Sequence, residues 1–292
     1  MPSKKLFKTV IAVSLMASLA ACGARGSGDR PGFIRGLFVG PQEIPLEQVA
    51  PQEIFKRGEA ELNAGDVDEA VRLFGEIERL YPYSEWAKRA LIMQAFAYHA
   101  DREYEQSRAA AQRFIDFYPA DEDTPYAQYL LAISYYDQID QVGRDQGLTF
   151  QALQALRTVI ERYPDSEYAR SSILKFDLAF DHLAGKEMEI GRYYLKRGHY
   201  PSAINRFRVV VEEFQTTTHT AEALHRLVES YLSLGLTDEA QTAAAILGFN
   251  YQSDPFYQDS FELLEGRGLK PAPRGTGWLV DIYRQVIRGR WL

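Results

Sequence analysis

Cys22 is the only cysteine in the 292-residue chain, and it directly follows Leu19-Ala20-Ala21. A single thiol closes no internal disulfide, and small residues before it fit a signal-cleavage site. Upstream, Lys4, Lys5 and Lys8 form a positive region, and residues 10–19 form an apolar run too short to span a bilayer. The expected chemistry is attachment of lipid to the Cys22 sulfur after residues 1–21 are removed as a signal peptide. Two or more acyl chains hold a protein stably at a membrane without a spanning helix.

Other side chains with chemical potential fall into no such pattern. The histidines are His99, His182, His199, His219 and His225. His219 and His225 are six apart, which misses the i,i+4 pairing of a zinc helix, so no metal site is expected. There is no phosphate-binding glycine loop and no Gly-x-Ser-x-Gly, and a lipidated Cys22 is lost as a nucleophile. Carboxylate clusters such as Asp121-Glu122-Asp123 and Glu212-Glu213 read as solvated faces. No enzyme and no cofactor is expected. Without the three signal lysines the chain keeps 30 basic against 40 acidic side chains, a net charge of −10. A chain that acidic is unsuited to nucleic acid, whose phosphates demand clustered Lys and Arg.

The elements that could carry a function lie downstream. Residues 22–51, rich in Gly and Pro, read as a lipidated flexible tether with apolar anchors at Phe33, Ile34, Leu37 and Phe38. Residues 52–250 read as five tetratricopeptide-like repeats, an all-α helical solenoid of helix-turn-helix units. Tyr81-Pro82, Tyr118-Pro119 and Tyr163-Pro164 each close an amphipathic segment. Gly58, Ala70 and Phe74 fit the first unit, because antiparallel helices approach closely only where side chains are small and a large residue fills the gap beyond. The second unit offers Leu91, Ala95, Tyr98 and Phe114, with Ser107 in place of the small Ala. The third has Ala132, Tyr135, Ala152 and Leu156, the fourth Gly191, Tyr194, Ala203 and Phe207, and the fifth Leu224, Tyr231, Ala240 and Ala244.

The marker residues Ala70, Ser107, Ala152, Ala203 and Ala240 are separated by 37, 45, 51 and 37. That unevenness predicts an insertion near residues 139–147 in the third unit. It also predicts a long helix from Ser166 toward Arg197 in the fourth, with a bend at Gly185. Ser84 and Ser166 are expected N-caps after the prolines. A solenoid presents a concave face built from the first helix of each unit, suited to an extended peptide. Phe55, Asn63, Phe96, Tyr129 and Tyr136 are its expected groove residues, with burial between repeats as the alternative for each. Residues 251–292 form a C-terminal extension. There Trp278, Leu279, Ile282, Tyr283, Val286 and Ile287 make an apolar stripe on a short helix with Arg284, Arg288 and Arg290. Such a helix docks on a membrane surface, on a partner, or back on the last repeat.

Leu19-Ala20-Ala21-Cys22 resembles the bacterial lipobox. That resemblance implies S-diacylglycerol and N-acyl (palmitoyl) groups on Cys22, and Gly23 after it, where aspartate would mark inner-membrane retention, implies the outer membrane. The lipobox, the tether, the five units, Tyr81-Pro82-Tyr83-Ser84, the insertion bearing Gly143-Arg144-Asp145-Gln146 and the run from Tyr193 to Gly198 ending in Asn205-Arg206 together resemble the BamD family of β-barrel assembly lipoproteins. The resemblance implies a scaffold on the periplasmic face of the outer membrane for assembly and insertion of β-barrel proteins. Its implied partners are the periplasmic domains of BamA, other lipoproteins of the complex and unfolded barrel precursors. It implies precursor binding at the first repeats and BamA contacts at Arg197, Asn205 and Arg206. The alternative is a periplasmic repeat adaptor lipoprotein for cell-wall enzymes.

Overall fold

A computed structural model describes residues 45–141 and 145–290. Cys22, the signal segment, the tether anchors Phe33 to Phe38, and Gly143-Arg144 lie outside the described residues. Among the described residues there are twelve α-helices, one 3₁₀ turn and no strand. The helices are α1 (Pro51–Ala64), α2 (Val67–Leu80), α3 (Glu85–Ala100), α4 (Tyr104–Phe117), α5 (Thr124–Tyr136) and α6 (Gly147–Arg162). They continue as α7 (Glu167–Lys196), α8 (Tyr200–Glu213), α9 (Thr220–Ser233), α10 (Thr237–Asn250), α11 (Pro255–Glu265) and α12 (Trp278–Ile287). From α1 to α10 each helix packs on the next, and each odd-numbered helix also touches the next odd one. This is a tetratricopeptide-like solenoid of five helix pairs, whose odd helices form the closer-packed inner layer.

The packing follows from small residues opposite large ones. A Cβ built on Gly58 of α1 would stand 2.6 Å from Phe74 of α2, and one on Gly191 of α7 would collide with Phe207 of α8 more closely still. Phe74 and Phe207 are fully buried, and each contributes roughly 2–3 kcal/mol by leaving water. In the second unit buried Ser107 does more than replace an alanine. Its hydroxyl donates to the Ala95 carbonyl at 2.8 Å and accepts from the Ser134 hydroxyl at 3.0 Å, joining α3, α4 and α5.

The same two turns recur along the array. Within a pair, the chain reverses through a left-handed residue at Gly65, Arg102, Gly198 or Gly235; three are glycine, which takes that conformation without a Cβ clash. The third pair is joined instead by the expected insertion. Between pairs, α2, α4, α6, α8 and α10 end on Tyr81, Tyr118, Tyr163, Phe214 and Tyr251. All five have φ between −133° and −124° and donate their N–H back into the helix. An aromatic residue marks this corner in every unit, and proline follows in only the first three. Ser84 caps α3 by accepting from Ala87 N at 3.1 Å. Ser166 occupies the N-cap of α7 without a side-chain capping bond and donates to the Tyr163 carbonyl at 2.8 Å. α7 runs for 30 residues, without interruption at Gly185.

Both ends of the array are covered, which corrects the expected tether boundary at residue 51. Leu46–Gln48 form a 3₁₀ turn, Val49 is buried against the first unit, and the Tyr81 hydroxyl donates to the Val49 carbonyl at 2.8 Å. At the other end α11 packs on α9 and α10, and α12 on α10. The stripe Leu279, Ile282 and Val286 is buried in the core it shares with α10. The intervening segment is strapped down by Gln241 Nε2 donating to the Lys270 carbonyl at 2.7 Å and Thr242 Oγ1 donating to that of Arg274 at 2.9 Å.

Candidate interaction surface

The inner layer places the five expected groove residues unequally. Phe55 is buried, its ring 5.4 Å from Phe74 and 5.2 Å from Trp86. It is core between α1, α2 and α3, so its assignment to the groove is corrected: the apolar face of α1 turns onto α2 and α3. Asn63 is exposed near the end of α1. Phe96 on α3 is 39% exposed. Tyr129 on α5 is half-buried and stacks on Tyr168 of α7 at 5.3 Å, and Tyr126 meets the same ring at 5.2 Å. Burial, reinforced by Glu167, pushes the Tyr168 hydroxyl up to about 12. The packed rings of Tyr126, Tyr129 and Tyr168 hold α5 against α7. Tyr136 lies further along, with Lys175 Nζ 5.3 Å from its ring centre.

The long α7 extends this face beyond what its sequence register had indicated. Leu174 and Leu178 on it are 63% and 62% exposed. Between α5 and α7 lies a cavity of about 330 Å3, lined by Tyr136, Asp137, Ile139, Leu178 and His182 among others. Between α7 and the start of α9 lies another of about 420 Å3, lined by Leu178, Asp181, His182, Glu189 and Arg192 among others. Exposed leucines four residues apart on α7 were the available sequence signal.

Outside the inner layer the even helices diverge, and clefts open between them. One, about 600 Å3, lies between α2 and α4 over α3. Its arginines are tied to carboxylates: Arg79 to Glu76 at 2.5 Å and Arg113 to Glu78 at 3.2 Å. A smaller one of about 310 Å3 between α6 and α8 is lined by Phe150, Phe180 and Phe214 with Arg157 and Glu213.

The three residues expected to meet a partner lie on the fourth pair. Arg197 ends α7 with its guanidinium 4.2 Å over the half-exposed ring of Tyr193. Asn205 is exposed on α8, and Arg206 beside it is bonded to Glu187 of α7 at 3.0 Å. Arg197 sits at the turn and Arg206 nearly two helical turns along α8, so the structure places them on one repeat and not in one cluster.

The chemistry available is recognition through apolar, aromatic and charged surface. The serine–histidine contact at His225 Nδ1 and Ser260 Oγ, 2.8 Å apart, is sealed between α9 and α11, with both residues buried. No substrate reaches it. Among the described residues no group of three or more His, Cys, Asp or Glu converges as a metal site would.

Fold and surface define a helical-repeat scaffold. Residues 47–246 match the family model YfiO, described as an outer membrane lipoprotein. The chain is 45% identical over 264 residues to "Outer membrane protein assembly factor BamD" of Caulobacter vibrioides, covering 90% of this chain and 82% of that one. It is 42% identical to the protein of the same name from Rickettsia prowazekii, covering 74% and 87%. Among solved structures, a tetratricopeptide-repeat protein of Thermus thermophilus shares 20% identity with a TM-score of 0.35, covering 74% of this chain and all of that one. The chain belongs to the BamD family of outer-membrane lipoproteins.

Proposed function

We propose that this protein is an outer-membrane protein assembly factor, lipid-anchored through Cys22 on the periplasmic face, and a non-enzymatic scaffold for assembly and insertion of β-barrel proteins. The observation that carries the proposal is its similarity along 90% of its length to a relative named for that role. In this reading the inner face around Phe96, Tyr129 and Tyr136 receives unfolded barrel precursors. The fourth and fifth pairs hold the periplasmic domains of BamA, with Arg197, Asn205 and Arg206 at the contact, and other lipoproteins of the complex join the assembly. A repeat array suits this work because each pair adds surface without altering its neighbours' fold.

Depletion tests the reading: barrel proteins fail to accumulate in the outer membrane. Septation or wall defects with normal barrels would overturn it in favour of a cell-wall adaptor. Arg206 has a sharper test, because it is bonded to Glu187 within the chain. Arg206→Glu places like charges together, whereas Arg206→Glu with Glu187→Arg restores the internal pair. Loss of BamA co-purification in both variants assigns Arg206 to the contact; recovery in the double variant assigns it a structural role only.

A further inference from the structure

Docking of α12 on the last pair uses its apolar stripe and leaves its cations outside. Leu279, Ile282 and Val286 are buried, while Arg284, Arg288 and Arg290 are exposed. Residues 266–290 hold six basic side chains and one acidic, Asp281, in a chain whose net charge is −7. Arg267 donates to the Leu232 carbonyl at 2.9 Å, and Arg284 pairs with Asp281 at 3.0 Å. Lys270, Arg274, Arg288 and Arg290 are exposed and form no ion pair among the described residues. Their backbones are fixed. The segment carrying Lys270 and Arg274 is strapped to Gln241 and Thr242. α12 ends in a turn where Arg288 N and Arg290 N both donate to the Gln285 carbonyl, at 3.1 and 3.0 Å, around Gly289 at φ +63°. Asp238 of α10 is a carboxylate beside the strap, 3.9 Å from where a Cβ on Gly275 would stand. Cations in a last helical turn suit the helix dipole, which gives Arg284 and Arg288 a structural use but gives Lys270 and Arg274 none.

We propose that the exposed face of the strap and of α12 is a second membrane contact, which binds the phosphate headgroups of anionic lipids. Charge complementarity carries the choice of occupant: this is a cationic face on an acidic chain, and each Lys or Arg beside an anionic lipid surface raises partitioning about fivefold. Ile287, 52% exposed between Arg284 and Arg288, adds an apolar side chain that a headgroup layer takes up without a matching pocket. The family is described as outer membrane lipoproteins, so such a surface is at hand. α12 covers the last pair, whereas Leu46–Gln48 cover the first. The contact therefore restrains the array at the end away from the N-terminal segment, and it supplies the second signal that stable anchoring needs. The inference takes from the proposed function only the nearness of a membrane.

The test uses residues 22–292 carrying Cys22→Ser, so that neither the signal segment nor a lipid chain contributes. It is sedimented with vesicles of phosphatidylcholine alone or mixed equally with phosphatidylglycerol. The protein binds the mixed vesicles and not the neutral ones, and added salt releases it. Arg288→Gln with Arg290→Gln weakens binding about tenfold or more. Asp281→Asn strengthens it by up to about fivefold, a gain confined to the anionic vesicles that a loosened fold would not give. Equal binding to both kinds of vesicle, or unchanged binding in both variants, overturns the proposal. So does a failure to bind vesicles when the chain retains polyglutamate and the double variant does not, a result that would mark this face for an acidic protein. Barrel assembly is not read in this assay, so its outcome is separate from that of depletion.

Discussion

The first and fourth repeats are built around the same collision, yet they end up as different objects. Gly58 against Phe74 and Gly191 against Phe207 sit at the same sequence spacing, and each glycine lets a phenylalanine cross the helix pair. α1, however, has 14 residues and α7 has 30. The crossing fixes how the two helices of a pair meet, and helix length fixes how much wall stands beyond it. In the first repeat α1 has no such extra turns, and Phe55 closes the core. In the fourth, the extra turns of α7 carry Leu174 and Leu178 into solvent and become one side of a groove. A conserved packing rule therefore sets the scaffold, while departures in length create the surface.

The strongest way to break that comparison is to remove the phenylalanines. Phe74→Ala and Phe207→Ala should each cost about 3–5 kcal/mol locally. Their reach should differ, because a repeat array couples only nearest neighbours. Hydrogen exchange should show Phe74→Ala loosening α1 to α3, at the end where, among the described residues, the turn at 46–48 is the cover. Phe207→Ala should expose amides on both sides, from α5 to α10. Equal spread in the two variants would mean that the array unfolds as one unit.

Smaller in effect, Gly58→Ala and Gly191→Ala overpack the crossing and should each cost about 1–3 kcal/mol, with Gly191→Ala the worse because its Cβ would lie closer to the ring. Phe207→Leu should relieve part of the Gly191→Ala cost, giving a favourable coupling in a double-mutant cycle on urea stability. Additive costs would show that the two positions do not meet as described.

How legible each region was follows from what constrains it. The crossings were readable because only small-against-large pairs satisfy them, so Gly58, Ala70 and Phe74, and Gly191, Ala203 and Phe207, announce two helix pairs without further context. The span of α7 was readable from the cap position at Ser166 and the absence of a breaker until Gly198, which takes φ +74°. The placing of Phe55 failed because a one-helix register cannot say which neighbour is missing. The corners at Phe214 and Tyr251 were missed because proline, not the aromatic residue, was followed as the marker. α11 lay past the last match. Its signals were Asp254, which accepts from Phe256 N at 2.9 Å, and Pro255 at the first position of the helix. The groove on α7 needed two neighbours, α5 and α9, that no single helix names.

The two covers can also be compared by pH, because a buried histidine lies under the C-terminal one. His225 of α9 is buried under α11, stacked 5.4 Å from Phe256 and bonded to Ser260. Burial holds its imidazole below the usual value; Glu229, Asp259 and Glu222 oppose this, while Arg226 adds to it. A base whose folded pKa is depressed stabilises the fold fully when neutral. Docking of α11 is therefore complete above about pH 6.5, the ordinary value for histidine, and weakens as pH falls below it, because the undocked state takes the proton more readily. Exchange of amides in Pro255–Glu265, corrected for intrinsic rate, should rise through that window while those of Leu46–Gln48 do not. A flat profile at α11 would sink the assignment.

The finest difference is between two serines in the same sequence context. Both follow Tyr-Pro corners and both hydroxyls donate to the carbonyl of the corner tyrosine at 2.8 Å. Only Ser84 also accepts from a helix N–H, that of Ala87. Removing an N-cap acceptor leaves an orphan donor in the first turn and costs about 1 kcal/mol. Removing a hydroxyl that merely donates to a part-buried carbonyl costs less, because that carbonyl keeps access to other partners while no helix N–H is orphaned. Ser84→Ala should therefore lower stability by about 1 kcal/mol and Ser166→Ala by at most about half that, measured as local exchange protection at the starts of α3 and α7. Equal losses would mean that the corner bond, common to both repeats, carries the stabilisation, and that capping at α3 adds nothing to it.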